Sequence, residues 1–268
     1  MKGLSELINK SSALNTIKYG LFGKHNVMQP RKNKELRELV KKLIVERGVN
    51  ADLNDIDVSK VTDFTGIFQN TRFNGDISQW DVSNAICMNS MFESSKFNGN
   101  ISQWDVSNVK SMGSMFRESI FNGDISAWNV SNVDNMAFMF FMSQFNRDIS
   151  KWNTCNVTHM PYMFYGNLAF NQDITGWDVR RLENIASMFE NSNFNQDISV
   201  WKLQSVKRIN YMFRENKMFN QNIDSWSKYI NPKIIEKHIY LMDNYDTPMT
   251  FKDSAMENNK PSWYIWND

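Results

Sequence analysis

Apolar residues along most of this chain return every 24 or 25 residues, a period too long for a single helix or strand. Aligned on the first Phe of each copy, the repeats start at Phe73, Phe97, Phe121, Phe145, Phe170, Phe194 and Phe219. A degenerate copy leads them from Asp52. Inside each copy the apolar columns run in a fixed order. Phe comes first, then Ile (Ile77 in the first copy), then Trp (Trp80), then an apolar residue two places on (Val82, with Thr154 the exception further along). Met or Ile follows (Met88), and the pair Met91-Phe92 closes the set. One copy cannot bury such a set alone; stacked copies turn the columns into continuous ladders through one core.

The spacing also predicts local elements. Trp-x-Val alternates and predicts a short strand near Gln79–Val82. The piece x-x-Met-x-x-Met-Phe places apolar residues on one helical face and predicts a helix of one or two turns near Ile86–Glu93. Asn-Gly after the first Phe marks the return turn. The expected fold is an α/β solenoid, parallel-stranded and leucine-rich-repeat-like, of about seven to eight coils with helical caps at both ends. Residues 1–30 read as an N-terminal arm, 31–50 as a capping helix and 51–230 as the solenoid. Residues 231–245 read as a second helical cap and 246–268 as a tail. In the first cap Leu36, Leu39, Val40, Leu43 and Ile44 share a face, Asn33 is placed to cap it and Gly48 to end it.

Polar columns carry the candidate chemistry. Asp or Asn precedes the Ile in every copy: Asp76, Asn100, Asp124, Asp148, Asp173, Asp197 and Asn222. Stacked carboxylates could hold calcium. Exchange of Asp for Asn, however, keeps the acceptor oxygen and loses the charge, which fits a cap on the coil's own turn. The Asn after each Phe, from Asn74 to Asn220, reads as an asparagine ladder satisfying backbone groups of neighbouring coils. The three histidines, His25, His159 and His238, have no metal-ligand spacing, and no nucleophile elbow or phosphate-cradling glycine loop occurs. The reading is therefore non-enzymatic, with no catalytic residue, metal or cofactor.

Binding is then expected at positions that packing leaves free. Flanking the Trp column, an exposed strand wall would carry Gln79, Asp81, Gln103, Asp105, Asn129, Lys151, Asn153, Asp178 and Lys202. Arg180 and Arg181 break the repeat there and, with Lys207 and Arg208, suggest a basic patch. Candidate anchors at the ends are Leu4, Leu7 and Ile8, and the tail aromatics Trp263, Tyr264 and Trp266. The alternative for the tail aromatics is that they fold back on the end of the stack.

Charge changes this picture only locally. The whole chain carries a formal +1, but residues 1–50 hold eleven Lys/Arg against four Asp/Glu, while residues 73–144 hold three against seven. A solvated lysine-rich face is the simplest reading of the basic end. The expected partner is a protein or glycan, with self-assembly possible; nucleic acid is not the expected partner. No apolar run approaches the ~18 residues of a membrane span. The first twenty residues show no continuous apolar core and no cleavage site, so no secretory leader is read and the location is left open. Cys87 and Cys155 stand three copies apart, about 14 Å at a stacking distance near 4.8 Å, too far for a disulfide.

The consensus F-N-x-D-I-S-x-W-D-V-S-N-V-x-x-M-x-x-M-F over Asp52–Ile230 resembles the BspA-type leucine-rich-repeat-like surface protein family, also found in mycoplasma lipoproteins. The lead-in KELRELVKKLIVERGVNADLNDIDVSKVTDF resembles the segment that opens many members. The resemblance implies adhesion or other binding at bacterial surfaces and no catalytic residues. The competing reading is a structural assembly component, such as a virion or phage protein, held by its terminal arms.

Overall fold

The structure, a computed structural model, describes residues 28–230 and 250–264. Helix α1 (Asn33–Arg47) opens it. Leu36, Val40 and Leu43 are buried, Leu39 and Ile44 pack at the margin, and Val45 on the far side is exposed. Gly48 ends the helix at φ 93°, and its N–H donates to the Ile44 carbonyl at 2.9 Å. Asn33 is not the cap expected from the sequence: Lys32 holds that position, and Asn33 is the first helical residue. Its amide instead donates to the carbonyls of Asp63 and Thr65, at 3.2 and 2.8 Å, tying α1 to the leading copy. At the other end of α1, both guanidinium ends of Arg47 reach Asp55 at 2.8 Å.

Beyond α1 the copies stack, but not through the expected elements. No strand forms at Gln79–Val82; the Trp80 N–H closes a turn on the Ile77 carbonyl at 3.1 Å. No helix forms at Ile86–Glu93. In the leading copy the N–H groups of Phe64, Gly66, Phe68 and Asn70 donate to the carbonyls of Cys87, Asn89, Met91 and Glu93 at 2.8–2.9 Å. The N–H groups between them close tight turns within the copy, as from Ile67 to Phe64 and from Gln69 to Gly66. Two left-handed residues per copy make this alternation possible, Ser90 (φ 54°) and Ser94 (φ 52°) in the first full copy. A parallel bridge of one residue precedes each such run, through Asp63, Cys87, Ser111, Asn135, His159, Asn184 and Arg208. The reason is spacing. Phe92 and Phe116 in adjacent copies have ring centroids 5.6 Å apart, whereas packed helices need about 8–10 Å between axes. A backbone with half its N–H groups turned to the neighbour fits the shorter spacing.

Side chains run as ladders along the stack. Trp80, Trp104, Trp128, Trp152, Trp177, Trp201 and Trp226 are all buried. Each indole N–H donates to a carbonyl of the preceding copy, Trp152 to Ile125 at 3.1 Å for example. Copies of 25 residues arise where Asn167 or Asn216 replaces the buried Ser of the other copies. The longer amide accepts from two successive N–H groups, Ala169 and Phe170 in one case, and extrudes Leu168 to solvent.

The polar columns serve the backbone. The Asn ladder works through oxygen alone. Asn98, Asn122 and Asn146 each donate a backbone N–H to the amide oxygen of the preceding Asn, at 2.8, 2.8 and 3.0 Å. Asn122 is half-buried, so Asn122→Ala is expected to cost about 0.5–1.5 kcal/mol, the range of an ordinary bond, in a urea titration. The Asp/Asn column caps its own turn: all seven side chains accept the N–H two residues on, from Asp76 with Ser78 at 2.8 Å to Asn222 with Asp224 at 2.9 Å. These backbone bonds hold the carboxyls of Asp76, Asp124, Asp148 and Asp173 below their usual range. A carboxylate so depressed adds stability that is present above its unfolded value, about pH 4, and lost as pH falls through the folded value. Urea midpoints should therefore hold from neutrality down to about pH 5 and fall below about pH 4. Asp124→Asn, which keeps the acceptor, should make that fall shallower.

The stack does not end at Ile230. Thr250 and Phe251 take the place of a further Met-Phe pair: Phe213 N–H donates to the Thr250 carbonyl at 3.0 Å, and Glu215 N–H to Lys252 at 2.9 Å. Phe251 lies 5.8 Å from Phe213, ring to ring. Ser254, Met256 and Trp263 fall at the spacings of Ser95, Phe97 and Trp104. Trp263 donates to the Ile223 carbonyl at 3.0 Å, the rule of the Trp ladder. Tyr264 meets Phe251 edge-on at 5.0 Å. Residues 250–264 are thus a divergent copy rather than a tail, and Trp263 and Tyr264 are buried. The cap expected over 231–245, with Trp266, Leu4, Leu7 and Ile8, lies outside the described residues.

Candidate binding face

Residues flanking the Trp column do stand outward. Gln79, Asp81, Gln103, Asp105, Asn129, Lys151, Asn153 and Lys202 are exposed, and Asp178 is half-buried. Five of the nine are already engaged, however. Asp81, Asp105, Asn129, Asn153 and Asp178 each accept the N–H two residues on, at 3.0–3.2 Å, as a second set of turn caps. Three of the four basic side chains of the patch are engaged as well. Arg180 pairs with Asp178 at 2.6 Å, Arg181 donates to the Asn156 amide oxygen at 2.6 Å, and Lys207 pairs with Glu183 at 2.7 Å. The structure brings these residues onto one side, and of them the side chains of Gln79, Gln103, Lys151 and Lys202 cap no turn.

A different face breaks the repeat more sharply. The left-handed turns carry two columns of side chains that are half-buried, or buried at Gly66, Ser187 and Glu190. The first reads Gly66, Ser90, Ser114, Phe138, Tyr162, Ser187, Tyr211; the second reads Gln69, Glu93, Arg117, Phe141, Tyr165, Glu190, Arg214. Small or polar residues dominate until the fourth and fifth positions, where four rings enter together. Phe138 stacks on Tyr162 and Phe141 on Tyr165, both at 4.7 Å and within 6° of parallel. All four rings are half-buried. Phe138, Tyr162 and Tyr211 hold φ of 59°, 57° and 60°, a conformation that costs a bulky residue roughly 1–3 kcal/mol. Aromatic stacking returns about 0.5–1.5 kcal/mol per pair. Gly or Ser serves the same backbone position in other copies, so the turn itself does not require a ring there.

Charged groups bracket the rings. The Arg117 guanidinium lies 4.8 Å over Phe141 and 5.8 Å over Phe138. It also meets Glu93 at 3.8 Å and Glu118 at 3.1 Å. On the other side Arg214 meets Glu190 at 3.7 Å and Glu215 at 3.2 Å and sits over Tyr211. Glu190 is buried beneath them, and burial pushes its carboxyl up. Burial, with Glu190 and Glu215 nearby, likewise raises the Tyr165 phenol. The second column is thus linked from Gln69, which donates to Glu93 at 3.0 Å, through salt bridge and cation–π contact to the Phe141–Tyr165 stack, and beyond it Glu190 pairs with Arg214. Sequence reasoning missed it because these positions were assigned to a helix. The signal was present: FMFFMSQF and PYMFYGNLAF depart from MFESSKF by placing rings where Ser and Glu stand.

Among the described residues no cluster of three or more His, Cys, Asp or Glu could hold a metal ion, and no helix is long and apolar enough to cross a membrane. Cys87 and Cys155 are both free. No curated protein and no solved structure matches the chain. A family model described as Mycoplasma protein of unknown function, DUF285, matches twice, over residues 35–144 and 118–226. Those ranges run from α1 to the last Trp of the regular copies and include the four rings. Together they cover well over half of the sequence, so the chain belongs to this repeat-containing family of Mycoplasma proteins of unknown function, DUF285.

Proposed function

We propose that the protein is a non-enzymatic scaffold, a leucine-rich-repeat-like solenoid of the BspA type, that recognises a macromolecule through its outer turn face. The observation that carries this reading is the interruption at Phe138, Phe141, Tyr162 and Tyr165, the place where that face exchanges small polar residues for a ring cluster. An extended stack offers such a face rigidly, at little entropic cost on binding. Protein is favoured over glycan by orientation. The ring faces are turned on one another and on Arg117, so edges and phenol groups, rather than flat ring faces for a sugar, meet the partner. Adhesion at a bacterial surface is the role that fits the BspA resemblance.

The test uses the labelled full chain on cells and on a glycan array. Saturable cell binding should fall roughly tenfold, about 1.4 kcal/mol, in Phe141→Ser/Tyr165→Ser. Gln103→Ala/Lys151→Ala, on the Trp-side wall, should leave it unchanged. Protease treatment of the cells should abolish binding and glycosidase treatment should not. Binding indifferent to the ring substitutions would sink this reading; loss on glycosidase treatment alone would select a glycan. A structural assembly role is the second reading, favoured by the opposition between the acidic residues 73–144 and the basic residues 1–50.

A further inference from the structure

The ring cluster has a charge character that narrows its partner. Each bracketing guanidinium is shared by two carboxylates, Arg117 by Glu93 and Glu118, and Arg214 by Glu190 and Glu215. Acid therefore exceeds base on both sides of the rings, and exposed Met142 adds an apolar margin. A complementary segment would place aliphatic side chains against the ring edges and cations toward Glu118 and Glu215. Lysine or arginine on either side of an apolar stretch meets that requirement.

The chain itself carries such a segment. Residues 1–27 hold Lys2, Lys10, Lys18 and Lys24 against one acid, Glu6, with Leu4, Leu7, Ile8, Leu14 and Ile17 between them. We propose that the ring cluster of one chain takes the basic segment 1–27 of a second copy, so that copies associate arm to face. A second copy fits better than the chain's own arm. Met28 joins the stack beside Ile56, which stands in the Trp column of the leading copy. The Arg117 column lies 13 residues beyond the Trp column, about half-way round a 24-residue repeat. Met28, the residue to which the arm is joined, thus lies on the side away from the rings, and a second copy can bring its own arm to them directly. Arm and face are distinct surfaces, so the contact is heterologous and can extend into chains of molecules rather than stop at a dimer.

This inference rests on the reading of the turn face as the recognition surface, and light scattering of the full chain from low to high micromolar concentration tests it. Mass should rise with concentration beyond a dimer and fall with added salt, since the contact is partly electrostatic. Phe141→Ser/Tyr165→Ser on the face and Lys10→Glu/Lys18→Glu on the arm should each weaken association roughly tenfold. The arm variant keeps the test sound even if the face variant disturbs the fold. Unfolding midpoints check this independently: the arm variant should stay near wild type, and the face variant should fall by the loss of one ring stack. Adding a peptide of residues 1–24 should dissociate the assembly. A chain monomeric throughout, or association indifferent to either variant, overturns the proposal. Association unaffected by the face variant together with cell binding lost in it would overturn this proposal alone and leave the recognition face standing.

Discussion

Trp152→Ala should lower the free energy of unfolding by about 3–5 kcal/mol, the range for emptying a large buried site. A domain's whole stability is commonly about 5–15 kcal/mol, so one substitution removes a third or more. Trp152 is 2% exposed, and its ring lies 6.4 Å from Trp177 and 6.4 Å from Phe140. Its indole N–H is the second donor to the Ile125 carbonyl, at 3.1 Å, beside the Trp128 N–H at 3.2 Å. Trp152→Phe separates the two losses: most of the volume remains and the donor goes, while the Ile125 carbonyl keeps the Trp128 N–H, so the lost bond should cost about 0.5–1.5 kcal/mol. A stack couples each copy chiefly to its neighbours, so the alanine variant should also broaden the urea transition, as the copies on either side begin to unfold apart. A loss under about 1 kcal/mol with an unchanged slope would mean that the Trp ladder does not carry the core.

The columns were legible because a ladder forces the same residue type to recur. Trp80, Trp104 and Trp128 each donate to the carbonyl at the Ile column of the preceding copy, that of Leu53, Ile77 and Ile101, and the sequence shows this as a period. Local structure was not legible from the same letters. Met88, Met91 and Phe92 have helical spacing, yet successive tight turns with left-handed residues at Ser90 and Ser94 present the same apolar side. What decides between them is the 5.6 Å separation of Phe92 from Phe116, a property of the stack that one copy does not encode. Asp81 and Asp105 on the wall flanking Trp stand exposed, and their oxygens also cap Ser83 and Ser107. Their Asp/Asn alternation is the same signature that identified the column of Asp76 as caps. The ring face escaped because recurrence was the signal followed, and Phe138 and Tyr162 are visible only as failures to recur.

Phe251→Ala and Trp263→Ala should each cost about 3–5 kcal/mol, although both lie outside the regular repeats. Phe251 is fully buried between Phe213 at 5.8 Å and the edge of Tyr264 at 5.0 Å. Trp263 is 7% exposed and stands 6.2 Å from Trp226. Removing either leaves the last regular rung facing a cavity, which is why a stack needs a closing copy. Hydrogen exchange localises the effect. The amides of Phe213 and Glu215 donate to Thr250 and Lys252 in the wild type, so they should exchange faster in both variants. The Phe116 amide, which donates to Met139 four copies away from that end, should keep its wild-type protection. A tail merely resting on the surface would behave otherwise: its truncation would cost within about 0.5 kcal/mol and leave the Phe213 amide as slow as before. The spacing of Phe251, Ser254, Met256 and Trp263 matches that of Phe92, Ser95, Phe97 and Trp104, and a cost of several kcal/mol at both ends of that series is what a closing copy requires.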